Sequence, residues 1–252
     1  MSASLSFICN ICGTQNETTR DRIGRELQSC LACGSTVRWR TIVHLVSLSI
    51  FGESMPLPSF PDRPDLIGVG LSDWDGYAIP LAAKLRYRNT FYHVDPHLDI
   101  TAPPSTFHGT LDFLISSDVF EHIPSPVFRA FEGAAALLRP GGVMIFTAPC
   151  MASARRTLEF YPDIVDFRVV EIGGHHCVVT KDWKGTIMLD QNPVFHGGPG
   201  QTLAFRIFGQ PDLVRYLEEA GFCDIKIMKN PVPEFGIFYD SPDDLPLVAR
   251  KA

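Results

Sequence analysis

The amino-acid sequence predicts an α/β fold, in which a doubly wound, mostly parallel sheet follows a small N-terminal module that contains four cysteines. From residue 65 onwards, short apolar runs alternate with stretches of helical periodicity, as in βαβ units. Residues 1–40 instead hold two C-x2-C pairs in a segment too short for its own hydrophobic core. The 252 residues, 45% of them hydrophobic, suffice for both parts and exclude a disordered chain.

The paired cysteines predict a structural zinc site. Cys9 and Cys12 form one pair, Cys30 and Cys33 the other, and a glycine follows each pair. Such a spacing lets two thiolates converge from one tight turn, and four thiolates complete a tetrahedral Zn²⁺ site. Two disulfides or redox-active pairs are the alternatives, but the N-terminus does not resemble an export signal, which favours reduced thiolates. We therefore expect residues 1–40 to form a zinc ribbon.

The other three cysteines and the hydropathy pattern indicate whether the protein enters a membrane and in which compartment it is expected. Cys150, Cys177 and Cys223 lack partner spacing and are interpreted as small buried hydrophobic residues. No apolar run reaches the roughly 18–20 residues that span a bilayer. We expect a cytoplasmic protein that does not enter the membrane; the sequence leaves its oligomeric state open.

The remaining elements follow from periodicity and from helix-capping residues. Ser35 or Thr36 is expected to cap a helix, which with a proline-rich linker occupies residues 41–64. Residues 65–252 are expected to form the main domain, with a less regular, glycine- and histidine-rich insertion at 150–200. The predicted strands are 66–70, 90–95, 111–116, 143–148 and 223–229. The predicted helices are 77–85, 211–220 and one that begins at Ser125-Pro126.

Three predicted strand ends carry residues suited to a ligand, because open parallel sheets bind ligands at the carboxyl ends of their strands. Gly68 and Gly70 end the first strand, where absent side chains would let a ligand approach the backbone. Asp95 ends the second predicted strand, and a carboxylate there can accept hydrogen bonds from both ribose hydroxyls of a nucleoside. Residues 116–123 follow the third strand.

Residues 112–123 (DFLISSDVFEHI) and 137–145 (LLRPGGVMI) together resemble class I S-adenosylmethionine-dependent methyltransferases, most closely the branch of ubiquinone- and small-molecule-type enzymes. The resemblance covers residues 65–150 well and 211–229 more loosely. It implies a Rossmann-like methyltransferase fold and S-adenosylmethionine as cofactor. A nicotinamide dehydrogenase is disfavoured, since Asp73 occupies the third glycine of its G-x-G-x-x-G fingerprint.

The resemblance also implies a cofactor site. Gly68 and Gly70 would pass beneath the methionine part of the cofactor, Asp95 would bind the ribose, and Asp99 would lie near the adenine. The wall near the sulfonium would be lined by Ser117, Asp118, Val119 and Phe120. Leu66 and Ser72 stand where the family usually has an acid and a third glycine. Either Asp73 or Asp75 would then meet the amino group of the methionine part.

Methyl transfer to a hydroxyl needs a base, and histidine is the usual residue for this role. His122, beside the expected cofactor wall, is the first candidate. His176 and His196 lie in glycine-flanked segments that could cover the site. Each has a structural alternative, as a helix-start or surface-loop histidine. A second metal site from His175, His176 and His196 lacks supporting spacing.

The favoured function is methyl transfer to a small-molecule or sugar-type acceptor. An RNA methyltransferase that grips RNA with its zinc ribbon is the first alternative. Residues 1–40 hold five arginines against three carboxylates, but the net charge of the chain is -6, a poor field for a phosphate backbone. Nucleic acid is therefore not expected as a partner. A protein that binds the cofactor without catalysis is the second alternative.

Overall fold

The computed structural model describes residues 4–252, which contain four α-helices and sixteen strands. The helices are α1 (Val37–Phe51), α2 (Asp75–Lys84), α3 (Phe128–Leu137) and α4 (Gln210–Glu219). The N-terminal strands are β1 (Ser4–Ile8) and β2 (Gln15–Thr19), and those of the main sheet are β3 (Arg63–Leu71), β4 (Leu85–Thr90), β5 (Leu111–Ser117), β6 (Leu138–Thr147), β15 (Phe222–Ile227) and β16 (Leu247–Lys251). Between β6 and α4 lie β7 (Cys150–Met151), β8 (Leu158–Glu159), β9 (Ile164–Ile172), β10 (His175–Asp182), β11 (Ile187–Asp190), β12 (Phe195–His196), β13 (Thr202–Leu203) and β14 (Arg206–Gly209).

The main sheet confirms the predicted doubly wound α/β fold. Its strand order is β15-β16-β6-β5-β3-β4, and β3, β4, β5 and β6 are mutually parallel. Only β16 runs against its neighbours, since it pairs antiparallel with both β6 and β15. The apolar runs of the sequence thus become central strands that are buried on both faces, as expected for a parallel sheet covered by helices.

Alternate residues of the central strands pack into different hydrophobic clusters. Phe113 and Ile145 lie in one cluster with α1 and α2, whereas Leu114 and Met144 lie in another with α3 and α4. The first cluster also contains Phe7 and other residues of the N-terminal module. The module and the sheet therefore share one core on this face.

Helix α1 begins as the sequence predicts. The Thr36 side chain accepts a hydrogen bond from the backbone N–H of Trp39 at 3.4 Å, which satisfies one of the free donors of the first turn. The proline-rich segment after α1 is more tightly packed than its composition indicates. Leu57 and Phe60 are buried in the first cluster, so this segment is held against the body of the protein.

The predicted strand at 90–95 is wrong. The strand is β4, whose Arg86 to Thr90 pair with Ile67 to Leu71 of β3. Because β3 ends at Leu71, the residues after Thr90 have no neighbouring strand to extend this ladder. Asp95 consequently lies five residues beyond the strand in a loop, where its side chain is exposed.

Two further features complete the comparison with the sequence. Cys150 and Cys177 are buried as expected, but Cys223 is exposed, because it points outwards from the edge strand β15. None of the helices within residues 4–252 has the length and apolarity needed to cross a membrane.

Candidate functional site

The strand order places a crevice at the carboxyl ends of β3 and β5. The connection from β3 leads through α2 to β4 on one side of β3, whereas β5 lies on its other side. The helices α2 and α3 also pack on opposite faces. Such a reversal is the topological switch point at which open α/β sheets bind ligands.

Both strand ends at the switch point are followed by a residue with left-handed backbone. Ser72 has φ 56° and Asp118 has φ 53°. This conformation costs a residue other than glycine on the order of 1 kcal/mol, and such residues cluster at functional sites. The family that the sequence resembles usually has a third glycine at the position of Ser72. Glycine adopts a positive φ without steric strain, which is the physical reason for that preference.

The space above Gly68 and Gly70 is occupied by protein. A Cβ atom on Gly68 would lie 2.1 Å from the ring of Phe113, and one on Gly70 would lie 1.9 Å from the Tyr87 hydroxyl and 2.1 Å from Asp73 Oδ2. From the sequence, these glycines are expected to make room for a ligand. The structure gives them an intramolecular reason, which is the packing of aromatic side chains against β3.

Asp73 is buried beneath the crevice. Its carboxylate accepts a hydrogen bond from the Tyr87 hydroxyl, and its backbone N–H donates to Asn89 Oδ1 at 2.8 Å. Burial raises the pKa of Asp73 to about 7, although the Tyr87 and Tyr77 hydroxyls oppose this shift. Asp75 is the first residue of α2. The choice between Asp73 and Asp75 for the cofactor's amino group stays a prediction.

Asp95 and Asp99 differ in their availability. The Asp99 carboxylate is occupied by Thr101, whose N–H and hydroxyl donate to Oδ1 at 2.8 and 2.7 Å. Asp95 is exposed on the loop after β4, at the same edge of the sheet as the crevice, and no residue of the described chain forms a hydrogen bond or ion pair with it. Its carboxylate is therefore free to accept hydrogen bonds from a ligand.

Asp118 is bound by two arginines of the N-terminal module. Arg25 donates to its two carboxylate oxygens at 2.7 and 2.9 Å, and Arg38 Nε lies 3.3 Å from Oδ2. The Thr147 hydroxyl donates to Oδ1 at 2.9 Å, and Arg38 also donates to Ser117 Oγ at 2.7 Å. Burial would raise the pKa of Asp118, but the two arginines outweigh it and hold the pKa below its usual value. In the sequence, these arginines are recognisable only as positive charges of the ribbon.

The expected wall residues divide between crevice and core. Ser117, Asp118 and Val119 lie at or beyond the end of β5 with partial exposure. Phe120 is fully buried and packs edge-on against Phe131 and Phe146. Its ring therefore cannot line the crevice, which corrects the expectation, because the chain turns inwards at this position to fill the core beneath α3.

His122 and His196 come together around Glu121. The distance from His196 Nδ1 to His122 Nε2 is 3.2 Å, and Glu121 Oε1 lies 3.4 Å from His196 Nδ1 and 3.6 Å from His122 Nε2. The β12–β13 hairpin brings His196 to this place. Its residue Leu203 also accepts a 2.8 Å hydrogen bond from His122 Nδ1. Glu121 was not among the residues predicted from the sequence, although its position next to a candidate histidine was a usable indication.

His176 stands apart from this pair. It belongs to β10, which forms a hairpin with β9 through Gly173 and Gly174, and its ring packs against Phe195 and Gly200. Among the residues that the structure describes, the histidines within ligand distance of Glu121 are His122 and His196. The structure thus brings His122 and His196 together and leaves His176 outside this cluster.

A buried arginine holds the loop that carries Glu121 and His122. Arg206 is completely buried, donates to the carbonyls of Phe120 and Ile123 at 2.7 and 2.6 Å, and binds Glu159 Oε1 at 2.7 Å. These bonds satisfy most of the guanidinium donors in an apolar surrounding. No feature of the local sequence indicated this role.

The four N-terminal cysteines form a group that fits Zn²⁺. Their sulfurs all lie within 4.8 Å of one another, and the Cys9–Cys33 and Cys12–Cys30 Sγ distances are both 3.7 Å. A tetrahedral Zn–S site with bonds of about 2.3 Å has edges of about 3.8 Å. Burial would raise the pKa of Cys30, but the backbone N–H groups of Cys33 and Ala32 outweigh it and lower the pKa to about 6.

A cavity of about 140 Å³ adjoins the crevice. Arg25, Arg38 and Thr147, the three partners of Asp118, line one side of it, and residues 238–246 line the other. This volume is below the roughly 300–1,000 Å³ of pockets that enclose drug-sized ligands. It is therefore too small to enclose a whole ligand of that size.

Solved structures that match this chain include three methyltransferases. One is the 1,6-didemethyltoxoflavin-N1-methyltransferase of Burkholderia thailandensis with bound S-adenosylhomocysteine (14% identity, TM-score 0.43, covering 83% of this chain and 76% of that one). Another is an S-adenosylmethionine-dependent methyltransferase from Mesorhizobium loti (14% identity, TM-score 0.44, covering 87% of this chain and 100% of that one). A third is an amino pentose methyltransferase from Micromonospora echinaspora with bound S-adenosylmethionine (12% identity, TM-score 0.45, covering 87% of this chain and 93% of that one).

These similarities are distant, so the fold assignment rests on the strand order itself. No protein-family model matches the sequence, and no curated protein matches it.

Proposed function

We propose that this protein is an S-adenosylmethionine-dependent methyltransferase that acts on a small-molecule acceptor, with a sugar-type molecule as one such class. The arrangement at the carboxyl ends of β3, β4 and β5 carries the proposal. It combines a switch-point crevice and two left-handed residues with an exposed carboxylate, Asp95, on the loop that follows β4 at the same edge of the sheet.

The cofactor would supply an activated methyl group on a positively charged sulfur. In this proposal Asp95 accepts hydrogen bonds from the ribose hydroxyls, and the loop of Ser117, Asp118 and Val119 forms the wall beside the sulfonium. The Asp118 carboxylate is bound by Arg25 and Arg38, and these contacts hold the loop in position. The residues around Glu121 and His122, which follow in the same loop, face the acceptor.

A small acceptor is favoured over RNA by how the ribbon arginines are used. Arg25 and Arg38 bind Asp118 and Glu26, Arg20 binds Asp240, and Arg40 is fully buried. Arg22 alone among the five is exposed with no ion pair to another described residue. A surface that binds a phosphate backbone needs several free cations. The proposal also gives the zinc ribbon a structural role, in which Cys9, Cys12, Cys30 and Cys33 bind the zinc ion.

The test has two stages. Calorimetry with S-adenosylmethionine and with S-adenosylhomocysteine measures cofactor binding. Mass spectrometry then follows methylation of small hydroxylated and aminated acceptors, with RNA as a parallel substrate. We expect saturable binding of both cofactor forms and methylation of small acceptors that does not depend on salt. Absence of binding at millimolar cofactor would overturn the proposal, and methylation of RNA alone would replace the acceptor class.

A further inference from the structure

The carboxylate of Glu121 is an unusual feature of the crevice region. The side chain is completely buried, and the described polar groups nearest to its carboxylate are ring nitrogens at long range, His196 Nδ1 at 3.4 Å and His122 Nε2 at 3.6 Å from Oε1. A buried carboxylate costs several kcal/mol unless a cation compensates it. Glu121 raises the pKa of His196, so the cation is either a protonated His196 ring or a bound metal ion.

The three facing atoms have the spacing of metal ligands. The separations among Glu121 Oε1, His122 Nε2 and His196 Nδ1 are 3.2, 3.4 and 3.6 Å. Zinc bonds to imidazole nitrogen and carboxylate oxygen of about 2.0–2.2 Å give a tetrahedron with edges of about 3.3–3.6 Å. The three atoms therefore correspond to one face of a coordination tetrahedron.

The hydrogen bond of His122 sets the tautomer that a metal requires. Its Nδ1 lies 2.8 Å from the carbonyl oxygen of Leu203, and a carbonyl can only accept, so Nδ1 carries the proton. The lone pair of the neutral ring is then on Nε2, which faces Glu121 and His196. Metal-binding histidines usually donate their other N–H to a carbonyl or carboxylate in this way.

We propose that Glu121, His122 and His196 bind a divalent transition-metal ion of the Zn²⁺ type, distinct from the ribbon zinc, through one carboxylate oxygen and two imidazole nitrogens. Two imidazoles and one carboxylate suit this class of ion, whereas Mg²⁺ and Ca²⁺ prefer oxygen ligands. The ligands come from two elements, the loop after β5 and the β12–β13 hairpin, and Arg206 fixes the first of them.

Three protein ligands leave one tetrahedral position open, which is the pattern of catalytic rather than structural zinc sites. His196 is the most exposed of the three, with 36% of its side chain accessible, so the cluster can be reached from solvent past this ring. Resting on the proposed function, this position would bind the oxygen of an alcohol or phenol acceptor. The site thus predicts O-methylation as the class of reaction.

The ion would lower the pKa of the bound acceptor hydroxyl, as Zn²⁺ lowers the pKa of its bound water to about 7. The acceptor O–H proton passes to solvent. The oxygen lone pair forms the bond to the methyl carbon, the carbon–sulfur bond breaks, and its electron pair returns to sulfur. The products are a methyl ether and the neutral thioether S-adenosylhomocysteine.

Metal content tests the site independently of activity. The full chain is equilibrated with Zn²⁺, freed of unbound ion and analysed for zinc. We expect two ions per chain in the wild type and one in His196→Ala, because a partly exposed ligand can be removed without disturbing the core. His176→Ala is the matched control, a histidine of the same insertion outside the cluster, and should keep two ions. One ion in the wild type, or two in His196→Ala, would overturn the proposal.

Cobalt substitution identifies which site each ion occupies. Co²⁺ in the ribbon should show thiolate-to-metal charge-transfer absorption, and Co²⁺ at Glu121, His122 and His196 should add ligand-field absorption without it. His196→Ala should lose only the second contribution, and loss of both or of neither would contradict the assignment. Calorimetry with S-adenosylmethionine on the same variant separates the two proposals, since a failed metal site leaves cofactor binding intact.

Discussion

Arg25 donates hydrogen bonds to both carboxylate oxygens of Asp118, at 2.7 and 2.9 Å, although 93 residues separate the two in the chain. Arg25 belongs to the N-terminal module, and Asp118 follows β5 at the switch point. A bidentate pair of this kind fixes orientation as well as distance. The N-terminal module and the crevice are therefore joined by a direct ion pair, and we expect a substitution in one to alter the stability of the other.

The first prediction concerns this ion pair. Arg25→Ala should lower the free energy of unfolding by about 1–3 kcal/mol, less than for a fully buried pair because both side chains retain some exposure and Arg38 still faces Asp118. Urea unfolding at neutral pH measures it. Arg63→Ala is the control, since its pair with Asp65 is exposed and should contribute below about 1 kcal/mol. Equal losses in the two variants would contradict the prediction.

The second prediction concerns the zinc ribbon. Cys12→Ser should reduce the zinc bound at the ribbon and lower the melting temperature, because the module packs into the core shared with α1 and α2. Cys223→Ser removes an exposed thiol outside the site and serves as the control. Zinc analysis and thermal unfolding provide the two readouts. Full zinc occupancy in Cys12→Ser would refute the four-thiolate site.

The third prediction follows from the raised pKa of Asp73. Burial raises this pKa to about 7 in the folded protein, whereas the unfolded chain has a value near 3.9. Between these values only the folded state binds the proton. This contribution to stability is complete below about pH 4 and is lost as the pH rises through about 7.

Asp73→Asn removes the titration while keeping an acceptor for the Tyr87 hydroxyl. The unfolding free energy of the variant, relative to wild type, should therefore rise by about 2.5 kcal/mol between pH 5 and pH 8. Paired urea titrations at several pH values measure the difference, from which other titrating groups largely cancel. A difference that stays constant with pH would show that Asp73 titrates normally.

The fourth prediction tests the ribose site. Asp95→Ala should weaken S-adenosylmethionine binding by about 2–4 kcal/mol, the worth of two hydrogen bonds to a charged acceptor, with unchanged thermal stability because the side chain is exposed. Asp163→Ala, an exposed aspartate of the insertion, is the control. Calorimetry measures both. Unaltered affinity in Asp95→Ala would mean that the ribose is bound elsewhere.

The fifth prediction concerns Arg206. Its replacement by methionine should cost about 3–5 kcal/mol of stability, because the carbonyls of Phe120 and Ile123 lose their donor and Glu159 loses its partner. Arg215→Met is the matched control, because this arginine is exposed on α4 and its pairs should contribute below about 1 kcal/mol. Chemical unfolding of the two variants decides whether burial makes the difference.

Features that depend on neighbouring residues could be predicted from the sequence. The C-x2-C pairs, the cap of α1 at Thr36 and the alternating strands and helices all reflect spacings of a few residues. The end of β4 could not be predicted in this way. It is set by where β3 stops, and the apolar run after Thr90 looks equally suited to a strand until its partner is known.

The sequence by itself thus determined the fold class and the grouping of four cysteines, because hydrophobic periodicity and ligand spacing are local properties. Only the tertiary structure decided which residues meet at the crevice. Arg25 reaches Asp118, and His196 reaches Glu121 and His122, across 74 residues or more of chain. These contacts exist because the sheet and the β12–β13 hairpin bring distant segments together. Patterns among neighbouring residues of the sequence do not indicate such long-range contacts.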